Sequence, residues 1–142
     1  MTMTEKINYL REQGAEFFPP DNWSIDILNA GLSGMGLSQV PENLMMFYKN
    51  LGGGLLGDAI IFPVNDMKRK SFEIPGLLNI NKKFSNFKQL AGKMIFGRNR
   101  LYIFTADLTG AAYIHDVLTL QALKKYDDLG AAMTDCLMVG KI

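Results

Sequence analysis

One cysteine and one histidine occur among the 142 residues, and these scarcities exclude whole classes of chemistry. The lone Cys136 closes no intramolecular disulfide, which fits a reducing compartment. The lone His115 excludes any metal site built on two histidines and makes any catalytic triad depend on that one residue. No Gly-Lys-Ser or Gly-Lys-Thr is present, so there is no Walker-type phosphate loop. No G-x-S-x-G elbow offers a serine nucleophile. No apolar run approaches the roughly 18 residues that a membrane span needs. The segment MTMTEKINYLREQ carries charge where a signal peptide requires an apolar core. The expectation is a soluble, cytoplasmic protein.

What is present is an ordinary globular composition: 48% hydrophobic, 20% charged and 11% aromatic residues. A chain of this length can bury its own core, so residues 1–142 read as a single domain. The net charge of +1 conceals a segregation. Residues 1–66 carry three basic and eight acidic side chains, residues 67–100 nine and one, and residues 101–142 three and five. The middle of the chain is a basic island.

Within Asn50 to Val64, Gly52, Gly54 and Gly57 spell G-x-G-x-x-G, the spacing of a dinucleotide-binding loop. That function needs a strand before the glycines and a helix after them. Here the order is reversed. Pro41, Glu42, Leu44, Phe47, Tyr48 and Leu51 read as a helix stopping at Gly52, and Ala59 to Val64 reads as a strand. The glycines are therefore expected to form a helix stop and turn.

Elsewhere, residues 4–14 suggest a short helix with Thr4 as its cap and Gly14 as its stop. Pro19 and Pro20 hold an irregular connector. A second helix runs from Asn22 or Trp23 to about Ala30, ended by GLSGMG, and another spans roughly Leu77 to Asn86. Lys93 to Gly97, Leu101 to Ala106 and Ala111 to Asp116 look like strands joined by tight turns, hence antiparallel hairpins. Tyr126, Leu129, Met133, Cys136 and Leu137 mark a closing amphipathic helix. The order implies an α+β fold, an antiparallel sheet of about four to six strands with helices packed around it.

Candidate chemistry is sparse. His115 in a strand reads as facing solvent or hydrogen-bonded to a neighbour, and Cys136 as a small core residue. The aspartates show no D-x-D or E-x-x-H pattern suited to a metal. Asp107 with Gly110 reads as a turn. Neither a metal, a cofactor nor an enzymatic activity is expected. Trp23, Phe17 and Phe18 read as core. The basic island, with Lys68, Arg69, Lys70, Lys82, Lys83, Lys88, Lys93, Arg98 and Arg100, offers an electrostatic footprint for nucleic acid or an acidic protein. Phe72, Phe84 and Phe87 interleave with it as stacking platforms would, although they too read as core.

Laid out in this way, VPENLMMFYKNLGGG at 40–54, MIFGRNRLYIFTADLTGAAYIHD at 94–116 and KKYDDLGAAMTDCL near the end resemble the SUKH superfamily. The resemblance spans about residues 23–138. Valine stands at position 40 where leucine is usual, leucine follows Asn50 where glycine is commonest, and the basic island lies outside the motif.

The resemblance implies a non-enzymatic α+β binding domain, in bacteria most often an immunity protein. Such a protein holds the toxic domain of a polymorphic or contact-dependent-inhibition toxin, often a nuclease, in the cytoplasm. On that reading the loop from Asp58 to Lys70 reaches the partner. Asp58 and Asp66 stand in for nucleic-acid phosphates against a basic cleft, and Lys68, Arg69 and Lys70 pair with acidic catalytic residues. Two other readings stay open: a nucleic-acid-binding module using residues 67–100, and a housekeeping protein-binding scaffold of the same fold.

Overall fold

The computed structural model describes residues 2–69 and 71–141, side chains at 140 and 141 excepted. The chain begins with α1 (Met3–Glu12), capped by Thr2 rather than Thr4. The Thr2 hydroxyl accepts from the Glu5 amide while the Glu5 carboxylate accepts from the Thr2 amide, a reciprocal capping box. Only Thr2 has a glutamate three residues on, which explains the shift. Gly14, at φ +103°, turns the chain out of the helix as expected.

A short strand β1 (Glu16–Phe17) follows, then α2 (Ile25–Gly34) and α3 (Glu42–Asn50). α2 runs through Gly31, beyond the expected stop near Ala30. A Cβ at Gly31 would collide with Leu78, so this glycine serves close packing between helices, and the turn is left to Gly36 at φ +73°. After α3 come β2 (Gly54–Leu56), β3 (Ala59–Ile61), β4 (Met67–Arg69), β5 (Phe72–Ile74) and α4 (Leu77–Phe84). Then β6 (Met94–Arg98), β7 (Tyr102–Ala106), β8 (Ala112–Asp116), β9 (Ala122–Tyr126) and α5 (Leu129–Lys141) complete the chain.

The fold is α+β, with helices around an antiparallel sheet, as the sequence pattern implies. The main sheet has seven strands in the order β1-β2-β3-β6-β7-β8-β9, and β4-β5 form a separate two-stranded hairpin. Because β3 and β6 are neighbours in that sheet, residues 62–93 are an excursion between two adjacent strands, and most of the basic island rides on it.

Side-chain alternation divides the sheet's two faces. The paired row Ile61, Gly97, Phe104, Ile114 lies under α5, where a Cβ on Gly97 would stand 3.3 Å from the Cys136 sulfur. The row Ile60, Arg98, Ile103, His115 lies on the opposite face, toward α4 and the hairpin. Asn81 fixes α4 to the sheet. It is buried; its amide group donates to the carbonyls of Leu77 (2.8 Å) and Ile95 (3.0 Å), and its oxygen accepts from the Ile95 amide (2.6 Å). Where β3 leaves β6, a side chain thus completes the ladder that a strand would otherwise make. Phe96 bulges out of the β6-β7 pairing, and its carbonyl accepts from the Phe62 amide.

The glycine run has a steric role. A Cβ at Gly52 would strike the Pro19 carbonyl, and one at Gly53 would lie 2.6 Å from the Ile61 carbonyl. Two bonds, Phe18 N–H to Gly53 O and Gly52 N–H to Phe18 O, lock this crossing. Gly57, at φ +59°, then makes the two-residue β2-β3 turn with Asp58.

Candidate partner-binding surface

The β4-β5 hairpin stands over the sheet face that carries Ile60 and Arg98, with an open groove on each side. One groove, about 750 Å³, runs along Asp66, Lys68 and α4, from which Asn79, Lys82 and Lys83 face it. The other, about 400 Å³, lies between the hairpin and the β2-β3-β6 face. Glu73, Ile74, Pro75 and Lys83 line both, so they form the wall between the two.

Of the five residues expected to reach a partner, two are engaged in holding the hairpin. Asp66 accepts from the Gly76 amide and the Asn79 side chain, both at 2.6 Å, and clasps the base of the hairpin to the start of α4. Those bonds favour the ionised form and hold its carboxyl below the usual range. Arg69 pairs with Glu16 on the edge strand β1 and lies over the Phe18 ring, 5.5 Å from its centre. Asp58, in the β2-β3 turn, makes an exposed pair with the Arg100 guanidinium at 3.6 Å. Lys68 is exposed on the outer side of the hairpin. Lys70 lies outside the described residues.

Sequence reasoning missed which charges are left over. Among the described residues, Lys68, Glu73, Lys82, Lys83 and Arg98 have no side-chain hydrogen bond or ion pair, and all five line the two grooves. The run Lys82-Lys83 was visible in the sequence. Arg98 was grouped with it as part of the basic island, and the packing of α4 on β6 places Arg98 and Lys83 on one groove. The expectation that Phe72, Phe84 and Phe87 are core is corrected for two of them. Phe72 is 50% and Phe87 46% exposed, and only Phe84 packs on the core. Phe72 occupies the hairpin's turn end, beside the groove over Leu55 and Ile60, and Phe87 the loop after α4, its ring 6.1 Å from that of Phe84.

The remaining candidates serve the fold. His115 is fully buried. Its Nε2 lies 2.8 Å from the Thr105 hydroxyl and its Nδ1 3.0 Å from the Leu120 carbonyl. Burial lowers its pKa, the Leu120 carbonyl opposes this, and the nearby Lys93 charge lowers it further. Cys136 is buried under the sheet, and burial raises its thiol pKa strongly. Asp107 accepts from Thr109 and from the Tyr113 hydroxyl, and Gly110 N–H bonds to its carbonyl, the expected turn. Phe18 is core, with Phe17 and Trp23 packed against it as expected. Among the described residues no group of three or more His, Cys, Asp or Glu could hold a metal, and no helix is long and apolar enough to cross a membrane.

No protein-family model matches the chain, and a search of curated proteins found no match.

Proposed function

We propose that the chain is a SUKH-like immunity protein that binds and neutralises a cognate toxin domain, with a nuclease as the favoured toxin, in the cytoplasm of the cell that makes it. The observation that carries the reading is the excursion between β3 and β6. It is clasped at its base by Asp66 and at its side by Arg69, and it holds unpaired charges and an exposed phenylalanine around two grooves. Such a surface suits a macromolecular partner, since apolar and charged groups are interleaved around the two grooves. Support also comes from the SUKH-like segments, which fall on α3 with the glycine crossing (40–54) and on the β6-β7-β8 meander (94–116).

Immunity requires that almost no toxin stays free, hence a dissociation constant of about a nanomolar or lower and about 800 Å² buried per partner. Free cations around the grooves would speed capture of an acidic face. The test is expression. The partner recovered with this chain should arrest growth when expressed alone and be harmless when this chain is co-expressed; a recovered partner that is harmless alone refutes immunity.

A nucleic-acid-binding role has one observation in its favour, the half-exposed Phe72 and Phe87 among unpaired lysines. It predicts affinity that falls steeply with salt.

A further inference from the structure

We infer that the smaller groove takes an extended segment of the partner protein in which an aromatic or aliphatic side chain is flanked by carboxylates. This rests on the reading of the chain as a protein-binding domain and gives that partner a chemistry.

The groove is built for an apolar anchor. Leu55 pairs across β2-β3 with Ile60, and Ile60 pairs with Arg98, so the two apolar side chains lie in one row on the same face and make the floor. Phe72 and Ile74 of the hairpin make the wall, and Phe72 is left half exposed. The space of about 400 Å³ suits one or two side chains rather than a folded element.

The charges select the flanking groups. Arg98 follows Ile60 in the floor row, and Lys83 projects from α4 into the wall, both unpaired among the described residues. Arg98 offers a planar donor fork for a carboxylate, and Lys83 a point charge. Asp58, two residues before Ile60, is already matched with Arg100, two residues beyond Arg98, so this pair borders the Ile60–Arg98 row. A nucleic-acid strand has the required negative charge, but its continuous row of phosphates would also meet Asp58, Asp66 and Glu73, which line the same two grooves. A polypeptide can place carboxylates at Lys83 and Arg98 only and set a neutral or basic side chain against Glu73. The mixed lining therefore favours a polypeptide over a polyanion.

The experiment uses the whole chain, isotope-labelled for amide NMR, and three probes: acetyl-Gly-Glu-Phe-Glu-Gly-amide, acetyl-Gly-Lys-Phe-Lys-Gly-amide and a short oligothymidylate. The acidic peptide should shift the amides of Leu55, Ile60, Phe72, Lys83 and Arg98 as a contiguous set, at a dissociation constant of about a millimolar. Binding should weaken about tenfold in Lys83→Glu/Arg98→Glu. Phe72→Ser, at an exposed site, supplies a second variant with the same expected loss. No shift at these amides up to about 5 mM peptide, equal binding of the basic peptide, or stronger binding of the oligothymidylate there would overturn the inference.

The inference and the functional reading fail separately. If a stoichiometric protein partner is captured equally by wild type and by Lys83→Glu/Arg98→Glu, the groove is wrong and protein binding stands. If the groove binds the acidic peptide but cells yield no protein partner, the immunity reading is wrong and the groove stands.

Discussion

Gly53→Ala tests whether the glycine run acts through sterics. Gly53 is buried at φ +102°, a backbone conformation that costs an L-residue about 1–3 kcal/mol. Its new Cβ would lie 2.6 Å from the Ile61 carbonyl, 3.1 Å from the Pro63 nitrogen and 3.2 Å from the Phe62 carbonyl carbon. All three are backbone atoms, so no rotamer change relieves the contact. The end of β3 must move instead, and with it the Phe62 carbonyl that the buried Tyr48 hydroxyl holds. Moving the crossing also endangers the 2.8 Å bond from the Phe18 amide to the Gly53 carbonyl, worth about 1 kcal/mol. The sum is about 3 kcal/mol, and at about 3 °C per kcal/mol for a domain near this size the melting temperature should fall by about 10 °C. Gly34→Ala is the control. Gly34 sits in the last turn of α2 with nothing within 4 Å of its added methyl, so helix propensity should raise stability by about 0.5–1 kcal/mol. Thermal unfolding followed by circular dichroism reads both. If Gly53→Ala melts within about 2 °C of wild type, the steric account of the glycines is wrong.

Asn81→Ala leaves the amide and carbonyl of Ile95 without partners at a buried site, and chemical denaturation should show a loss of about 2–5 kcal/mol. His115 makes stability fall toward acid. Its folded pKa is lowered, so the unfolded chain takes up the proton first; the stabilisation is complete above the ordinary histidine pKa of about 6.5 and is lost as pH drops toward the folded value. His115→Gln should flatten denaturant midpoints between about pH 7 and pH 5, and an unchanged slope there would refute this origin. Asp66, whose pKa is lowered by its bonds to Gly76 and Asn79, contributes above its ordinary carboxylate pKa and stops contributing as pH falls through the folded value. Asp66→Ala should therefore speed hydrogen exchange at Gly76 while leaving the β6-β7-β8 amides protected; equal exchange at Gly76 would show that the clasp is not needed.

The elements that can be read from the chain are those whose local signals agree with their packing. β6, β7 and β8 carry continuous apolar and β-branched residues, since both faces are covered, and the tight turns at Asn99 to Leu101 and Asp107 to Gly110 force antiparallel pairing. β9 escaped notice because ALKKY is mostly exposed on an edge strand and lacks the residues that mark a strand; it ends at Tyr126, where the closing helix was expected to begin. β4 and β5 hide for a related reason. Met67–Arg69 and Phe72–Ile74 are half polar, and the contacts by which Asp66 and Arg69 tie the hairpin to α4 and β1 are remote in sequence.

The candidate surface divides along the same line. That Asp58, Asp66 and Lys68 are exposed was legible from charge alone, although Ala59 and Ile61 to Val64 between them are buried. Which charges remain unpaired was not, since the partners of Asp66 and Arg69 are ten or more residues away in sequence, at Gly76, Asn79 and Glu16. Leu120 shows the limit from another side. It adopts φ +62°, which leucine rarely accepts, while burying its side chain and offering its carbonyl to His115, and nothing in VLTLQ announces it.

The measurement closest to the central claim is affinity capture of the tagged chain from its own cells, washed at low and then high salt, with bound protein and bound nucleic acid both quantified. A single polypeptide at one-to-one stoichiometry that survives the high-salt wash is the predicted result. Nucleic acid that leaves with salt, with no protein at stoichiometric level, would contradict the account and assign the basic residues of the β3-β6 excursion to phosphate binding.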